Sequence, residues 1–104
     1  MRRGEVWDVD FPPPVGRRPA VVLTRDVILA RLNNVTMAPI TSRIRGIPTE
    51  VPVDEEAGLD HASVVSCDNV TTVPRRLCVR LRGEVSASQA RGISAAVVLA
   101  LDLA

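Results

Sequence analysis

The chain begins with an alternation of apolar and polar residues that is typical of a β-strand. Between Glu5 and Phe11, every second residue from Trp7 onward is apolar, and the positions between them, Asp8 and Asp10, are acidic. Successive side chains of a strand point to opposite faces, so the apolar residues share one face and the carboxylates share the other. We therefore predict a half-buried first strand over this segment.

A continuous apolar run at Pro19–Thr24 predicts a second, buried strand. The run is rich in β-branched residues and follows a loop, Phe11–Gly16, whose prolines cannot form a helix. Two arginines, Arg17 and Arg18, stand directly before it. Because a buried strand is rigid, a cation at its start is held in a fixed direction, while the proline-rich loop can form one wall of a groove. Arg18 is therefore the first candidate for a residue that acts on a ligand.

Four further strands are predicted along the rest of the chain. Before the third strand, Asp26 can cap a short helical turn at Val27–Leu32. Pro39 lies within the third strand and implies an edge or a bulge there. A surface loop at Ser42–Pro48 follows the third strand, and an acidic turn at Asp54–Asp60 follows the fourth. The predicted strands are Val35–Thr41, Glu50–Val53, Ala62–Val73 and Arg76–Val85.

The C-terminal helix has the clearest boundary in the sequence. Ser86 followed by Gln89 matches a capping box, and apolar residues recur at helical spacing from Ile93 to Leu101. Residues 95–101 are apolar nearly all round, which favours packing on both faces. We expect one face to lie on the sheet and the other against a second subunit. The alternative is a helix enclosed by its own domain, which a sheet this small can hardly provide.

Short strands punctuated by glycine and proline and followed by one helix predict a mainly β fold with helices. The expected architecture is a small, strongly curved antiparallel sheet or partly open barrel with a C-terminal helix. The 104 residues, 46% of them apolar, fit a single domain over residues 1–104. Cys67 and Cys78 are expected to be buried, reduced thiols. With no leader segment and no long apolar run, the sequence favours a cytoplasmic protein without a membrane span.

The sequence offers no recognisable metal site. Its one histidine, His61, follows Asp60 in the acidic turn, where a surface position without a role is expected. There is no second histidine and no suitably spaced pair of cysteines to complete a ligand set. We therefore predict neither a metal nor another cofactor.

The basic residues are all arginine, and they are clustered. The formal net charge is only +1, which argues against a uniformly basic surface. A guanidinium group nevertheless matches two phosphate oxygens at once, which an ammonium group cannot do. Codon usage in a GC-rich genome is an alternative explanation for the missing lysine, but it does not explain the clustering. The clusters are Arg2 and Arg3, Arg17 and Arg18, Arg43 and Arg45, and Arg75 to Arg82.

Four short motifs, in this order and spanning almost the whole chain, resemble the successive blocks of the MazF/PemK toxins. No single block is specific, but the set is a strong match. The blocks are RGEVW at Arg3–Trp7, RPAVVL at Arg18–Leu23, PITS at Pro39–Ser42, and VSCDN at Val65–Asn69 with Thr72 soon after.

This resemblance implies an SH3-like barrel, a homodimer and an endoribonuclease that cuts single-stranded RNA at short sequences without a metal. It also implies an antitoxin partner that fills the RNA groove. Arg18 matches the family's catalytic arginine, and Thr41 matches its catalytic threonine. If the ribose 2′-hydroxyl attacks the adjacent phosphate, a guanidinium and a hydroxyl donor stabilise the charge that develops on the phosphoryl oxygens. The substrate itself supplies the nucleophile.

The resemblance also suggests an acid or base and several RNA contacts. Asp68 matches the aspartate of the family's Cys-Asp block and is the candidate acid or base, with a turn-forming role as the alternative. Arg17 is a candidate phosphate anchor, or else a solvated neighbour of Arg18. Ser42, Arg43 and Arg45 are candidate RNA contacts in a loop whose shape would influence base selection, although an exposed solubilising loop is an alternative for the two arginines.

Two other functions are compatible with the sequence. The CcdB toxins use the same barrel to bind DNA gyrase without cleaving anything, so a non-enzymatic binder is one alternative. An inactive member kept as a binding module is the other, because the segment between Phe11 and Arg18 is shorter than in many family members and lacks the Glu or His that some of them place there. The Arg-Pro and Thr-Ser pair favours the ribonuclease, since a gyrase binder does not require it.

Overall fold

The computed structural model describes residues 1–103. It contains seven strands, two helices and three short 3₁₀ turns. The strands are β1 (Glu5–Asp10), β2 (Arg17–Val22), β3 (Asn34–Thr41), β4 (Glu50–Val53), β5 (Ser63–Ser66), β6 (Thr71–Pro74) and β7 (Cys78–Glu84), and the helices are α1 (Asp26–Leu29) and α2 (Ala87–Leu101).

All strand pairs in the sheet are antiparallel. The strands follow the order β4, β5, β3, β2, β1, β7, and β6 pairs separately with β3. This mainly β architecture with a C-terminal helix confirms the predicted fold class, with the barrel remaining open between β4 and β7. Neither helix within residues 1–103 has the length and apolar content to span a membrane.

The first strand is buried on both faces, so the prediction of a half-buried strand is wrong. Val9 belongs to one apolar cluster, together with Leu29 of α1, while Val6 belongs to a second cluster, which α2 covers. Asp8 lies on the same face as Val6 and is buried there, where its carboxylate forms an ion pair with Arg82 at 3.2 Å. A buried carboxylate needs such a partner, and the sequence pattern alone did not reveal one.

The predicted fifth strand, Ala62–Val73, is divided in the structure. A 3₁₀ turn at Cys67–Asn69 separates β5 from β6. The two halves pair with different ends of β3, β6 with Asn34–Met37 and β5 with Ile40–Thr41. Pro39 lies in the interval between them and pairs only with β2. A central strand therefore accommodates a proline without the edge or bulge that we expected, because no ladder partner is present there on its second side.

The helix boundaries agree only in part with the prediction. The capping box of α2 is present, with Gln89 N–H donating to Ser86 Oγ at 3.1 Å and Ser86 N–H donating to Gln89 Oε1 at 2.8 Å. In contrast, Asp26 does not cap α1. It is the first helical residue, and its carboxylate accepts a hydrogen bond from the backbone N–H of Arg3 at 2.7 Å.

One face of α2 packs on the sheet, and the other is uncovered. Ile93 and Ala96 are buried in the core cluster beneath the helix. Leu99 and Leu101 are 57% and 53% exposed. The last turns of the helix therefore leave large apolar side chains uncovered, as the sequence predicts, and its own domain does not enclose it.

Candidate active site

An open groove of about 720 Å³ lies where β2 begins and β3 ends. Antiparallel pairing of Ala20 with Pro39 brings Arg18, near the start of β2, alongside Thr41, the last residue of β3. Asp68 lines the same groove from the 3₁₀ turn that follows β5. The sheet thus gathers three residues that are far apart in the sequence.

Two polar groups of the groove are available to a ligand. Arg18 is exposed, and within residues 1–103 its guanidinium forms no ion pair. The Oγ1 atom of Thr41 accepts a hydrogen bond from the backbone N–H of Arg43 at 3.1 Å, which leaves the hydroxyl proton free to be donated. A guanidinium with a neighbouring hydroxyl donor is a suitable arrangement for binding a phosphate.

Neighbouring residues hold Asp68 in the groove wall. Its Oδ2 atom accepts a hydrogen bond from the Thr49 hydroxyl at 2.5 Å. The next residue, Asn69, donates from Nδ2 to Ser66 Oγ at 2.8 Å, a contact that spans the turn. Because the side chain of Asn69 supports the turn, the carboxylate of Asp68 remains on the groove side, where it could exchange a proton with a ligand.

Glu50 ties the loop at residues 42–48 to the sheet. Its Oε1 atom accepts hydrogen bonds from the backbone N–H groups of Arg45 at 3.0 Å and Gly46 at 2.9 Å. Arg43 and Arg45 both line the groove. Glu50 is not among the site residues predicted from the sequence, although a carboxylate close behind an arginine-containing loop is a signal that could have identified it.

An apolar wall completes the groove. Phe11, Pro12 and Val15 contribute to it from the proline-rich loop, and Ile47 contributes from the loop at residues 42–48. The proline-rich loop therefore forms the wall that the sequence predicts. Apolar and aromatic surfaces of this kind suit the flat faces of unstacked nucleobases.

A second cavity of about 250 Å³, here called the side cavity, adjoins the groove, and Arg18 and Thr41 line both. Arg17 and Ser42 line the side cavity and not the groove. Arg17 Nε donates to Asp10 Oδ1 at 2.7 Å, and this hydrogen bond raises the pKa of Arg17 and lowers the pKa of Asp10. The predicted RNA contacts are thus divided between two cavities, and the guanidinium of Arg17 already has a carboxylate partner.

His61 also lines the side cavity. It belongs to the segment before β5, and pairing of Thr41 with Val64 places the start of β5 beside the end of β3. No local pattern in the sequence indicates this proximity, because it depends on how two distant strands pair. Within residues 1–103, no group of three or more His, Cys, Asp or Glu side chains is placed to hold a metal ion.

Comparisons with known proteins agree on one family. A family model described as the PemK-like, MazF-like toxin of type II toxin-antitoxin systems matches residues 2–101. Endoribonuclease MazF3 of Mycobacterium tuberculosis is 49% identical over 86 residues, which are 83% of this chain and 84% of the relative. Probable endoribonuclease MazF5 of the same species is 36% identical over 101 residues, which are 96% and 92% of the two chains.

Solved structures give the same result. The Mycobacterium tuberculosis toxin MazF-mt6 superposes with a TM-score of 0.88 at 42% identity, covering 94% of this chain and 96% of that one. An endoribonuclease in complex with its cognate antitoxin, from a mycobacterial species, shares the fold with a TM-score of 0.88 at 24% identity, covering 100% and 97% of the two chains. This chain belongs to the PemK-like, MazF-like toxin family of type II toxin-antitoxin systems.

Proposed function

We propose that this protein is a toxin that cleaves single-stranded RNA at specific sequences and thereby inhibits translation and growth. Relatives that are 49% and 36% identical bear the name endoribonuclease, the second as a probable one. The observation that carries the proposal is the position of Arg18 and Thr41 beside each other at an open groove. Both side chains can donate hydrogen bonds to the phosphate oxygens, whose negative charge increases during the reaction.

The reaction that suits this site is attack by the ribose 2′-hydroxyl on the neighbouring phosphate. The phosphoryl oxygens gain charge in the transition state, and the Arg18 guanidinium and Thr41 hydroxyl would donate hydrogen bonds to them. Donors that are already in position stabilise the transition state more than the ground state, and this difference accelerates the reaction. Asp68 is the proposed base that accepts the proton from the 2′-hydroxyl.

The surrounding residues are proposed to bind the RNA chain. Arg43 and Arg45 would contact backbone phosphates in the groove, and the apolar wall formed by Phe11, Pro12, Val15 and Ile47 would contact bases. Arg17 and Ser42 are proposed to contact the RNA from the side cavity. Glu50 would act indirectly, since it fixes the backbone that carries the loop arginine Arg45.

A cognate antitoxin is the proposed protein partner. The family consists of toxins of type II toxin-antitoxin systems, and one solved relative of the same fold is an endoribonuclease bound to its cognate antitoxin. An antitoxin segment that occupies the groove would cover Arg18 and Thr41 and so exclude RNA. We further propose that the toxin acts in the cytoplasm as a homodimer.

The decisive experiment is to incubate the purified protein with a long single-stranded RNA in excess chelator and to map the fragment ends. The wild type should make discrete cuts. Arg18→Ala and Thr41→Ala should each lose most of the activity, about 10²-fold or more, because each removes a donor to the transition state. Ser88→Ala, an exposed change in the first turn of α2 and away from both cavities, is the matched control and should cut normally.

The non-enzymatic alternative gives the opposite result. A gyrase-binding protein like the CcdB toxins, or an inactive binding module, would leave the RNA intact in every reaction, even though circular dichroism showed each protein to be folded. Cuts that persisted in both variants would refute the proposed roles of Arg18 and Thr41 while retaining the ribonuclease activity.

A further inference from the structure

His61 lines the side cavity next to the proposed reaction centre, and within residues 1–103 its side chain has no hydrogen-bond partner. The side cavity that it lines is also lined by Arg18 and Thr41. Its backbone carbonyl accepts a hydrogen bond from Ser63 Oγ at 3.2 Å, but within residues 1–103 its imidazole forms none. A histidine that adjoins the phosphate-binding residues and has both ring nitrogens free is available to exchange a proton with a ligand.

Arg82 contacts the segment that carries His61 at two points. Asp60 forms an ion pair with Arg82 at 3.4 Å, and Arg82 is in turn bound to Asp8 at 3.2 Å. The Nε atom of Arg82 also donates to the backbone carbonyl of Gly58 at 3.0 Å. These contacts hold the chain on one side of His61, and β5 holds it on the other. The imidazole is therefore attached to a positioned backbone, as a proton donor requires.

Asp68 and His61 flank the phosphate-binding pair from two different cavities. Asp68 lines the groove, His61 lines the side cavity, and Arg18 and Thr41 line both. In-line displacement at phosphorus places the attacking oxygen and the leaving oxygen on opposite sides. A base and an acid that serve such a reaction must therefore also stand on opposite sides of the phosphate.

We propose that His61 is the general acid, which protonates the leaving 5′-oxygen from the side cavity while Asp68 acts from the groove. This inference rests on the proposed ribonuclease function. The 2′-oxygen forms a bond to phosphorus, its proton passes to the Asp68 carboxylate, and the bond from phosphorus to the 5′-oxygen breaks. The imidazolium of His61 gives its proton to that oxygen. The products are a 2′,3′-cyclic phosphate and a 5′-hydroxyl, so atoms and charge balance without another reactant.

The charged groups around His61 suit a proton donor that acts beside a phosphate. Arg17 and Arg18 line the side cavity from β2 and Arg82 lines it from β7. Asp60, the residue before His61, lines it as well. Arg17 and Arg82 are already paired with carboxylates, so Arg18 is the cation available to the phosphate.

The test compares two RNA substrates in single-turnover reactions with chelator, at several values between pH 5 and pH 9. One is an oligonucleotide that contains the cleavage sequence mapped for the wild type. The other has sulfur in place of the leaving 5′-oxygen, and a thiolate leaves without needing a proton. The variants are His61→Gln and His61→Asn, and the control is Glu55→Gln, an exposed change in the acidic turn that lines neither cavity.

Both His61 variants should cleave the natural RNA about 10²-fold more slowly than the wild type, and the sulfur-containing RNA within a few-fold of it. The wild-type rate should fall on the alkaline side as the imidazole loses its proton, and this fall should be absent from the variants. Equal activity of a folded His61 variant on natural RNA, or equal losses on both substrates, would overturn the inference. If the wild type leaves natural RNA intact, the proposed function itself fails, and this inference fails with it.

Discussion

Individual arginines of this protein differ in whether they already form an ion pair with a carboxylate. Arg17 and Arg82 form ion pairs with carboxylates, while the neighbouring Arg18 forms none within residues 1–103. Clustering in the sequence identifies all three as candidates for binding an anion, but only the structure shows which of them is available. A carboxylate beside an arginine competes with a ligand for that guanidinium, so Arg17 must exchange its partner to contact RNA, whereas Arg18 need not.

The buried thiol of Cys67 should make the protein less stable in alkali. Burial raises the pKa of Cys67 to about 11 in the folded state, whereas a thiol in the unfolded chain titrates near 8.5. Between these values the unfolded state loses the proton first, so the free energy of unfolding falls as pH rises. The expected fall is about 2 to 3 kcal/mol between pH 8.5 and pH 11.

This measurement is unusually simple because the chain has no tyrosine and no lysine to titrate in the same range. Urea unfolding at a series of pH values gives the free energies. Cys67→Ala is less stable at every pH but should show a clearly smaller alkaline fall, with a residual slope from Cys78, whose pKa is also raised by burial. An identical fall in wild type and variant would contradict the assignment to Cys67.

Individual elements were predicted best where their residues determine them locally. The capping box of Ser86 and Gln89 identifies the start of α2, and the strand Glu50–Val53 has the predicted bounds. The break at Cys67–Asn69 could not be predicted, because the apolar pattern continues on both sides and the division depends on which part of β3 each half meets. Local residue preferences cannot predict which distant strands pair with each other.

Two glycines with similar backbone angles should differ strongly in their tolerance of a side chain. Gly58 has φ of +89°, and a Cβ atom there would stand 2.1 Å from the backbone oxygen of Arg82. Gly46 has φ of +74° and no atom within 4 Å of the same position. Gly46→Ala should therefore lower the free energy of unfolding by only about 1–2 kcal/mol, because alanine disfavours the left-handed conformation. Gly58→Ala should lower it by about 4 kcal/mol or more, because the backbone must also move.

Urea unfolding of the two variants beside the wild type tests this difference directly. Each substitution adds one methyl group at a positive φ, so the pair isolates the effect of the close approach to β7. Equal losses at the two positions would show that the contact between Gly58 and the backbone of Arg82 is not a constraint on the folded chain.

For the molecule as a whole, the motif set identified the family and its fold, and the family matches confirm both. The motifs also predict Arg18, Thr41 and Asp68 as site residues, and all three line one groove in the structure. The sequence could not identify Glu50 or His61 as neighbours of this site. Their positions depend on how the loops fold against the sheet, and no local pattern encodes that.

The uncovered apolar face of α2 supports the prediction of a homodimer. Leu99 and Leu101 are more than half exposed, and large apolar side chains left exposed on one helix are typical of contact surfaces. Sedimentation at micromolar concentration should give the mass of two chains. Leu99→Arg should shift the mass toward one chain by placing a charge in the contact. A monomeric wild type would contradict the prediction, and a dimeric variant would place the contact elsewhere.

The pairing of the first strand with the last has a consequence for when activity can arise. Val6 of β1 pairs with Val21 on one side and with Gly83 of β7 on the other. A chain leaving the ribosome therefore cannot complete its sheet until nearly all of it has been synthesised, and sheets built from such distant pairs fold slowly compared with helical proteins. The groove is lined by residues between Phe11 and Thr71, but the sheet that supports it is complete only when β7 has joined β1, so we expect activity to arise late in folding.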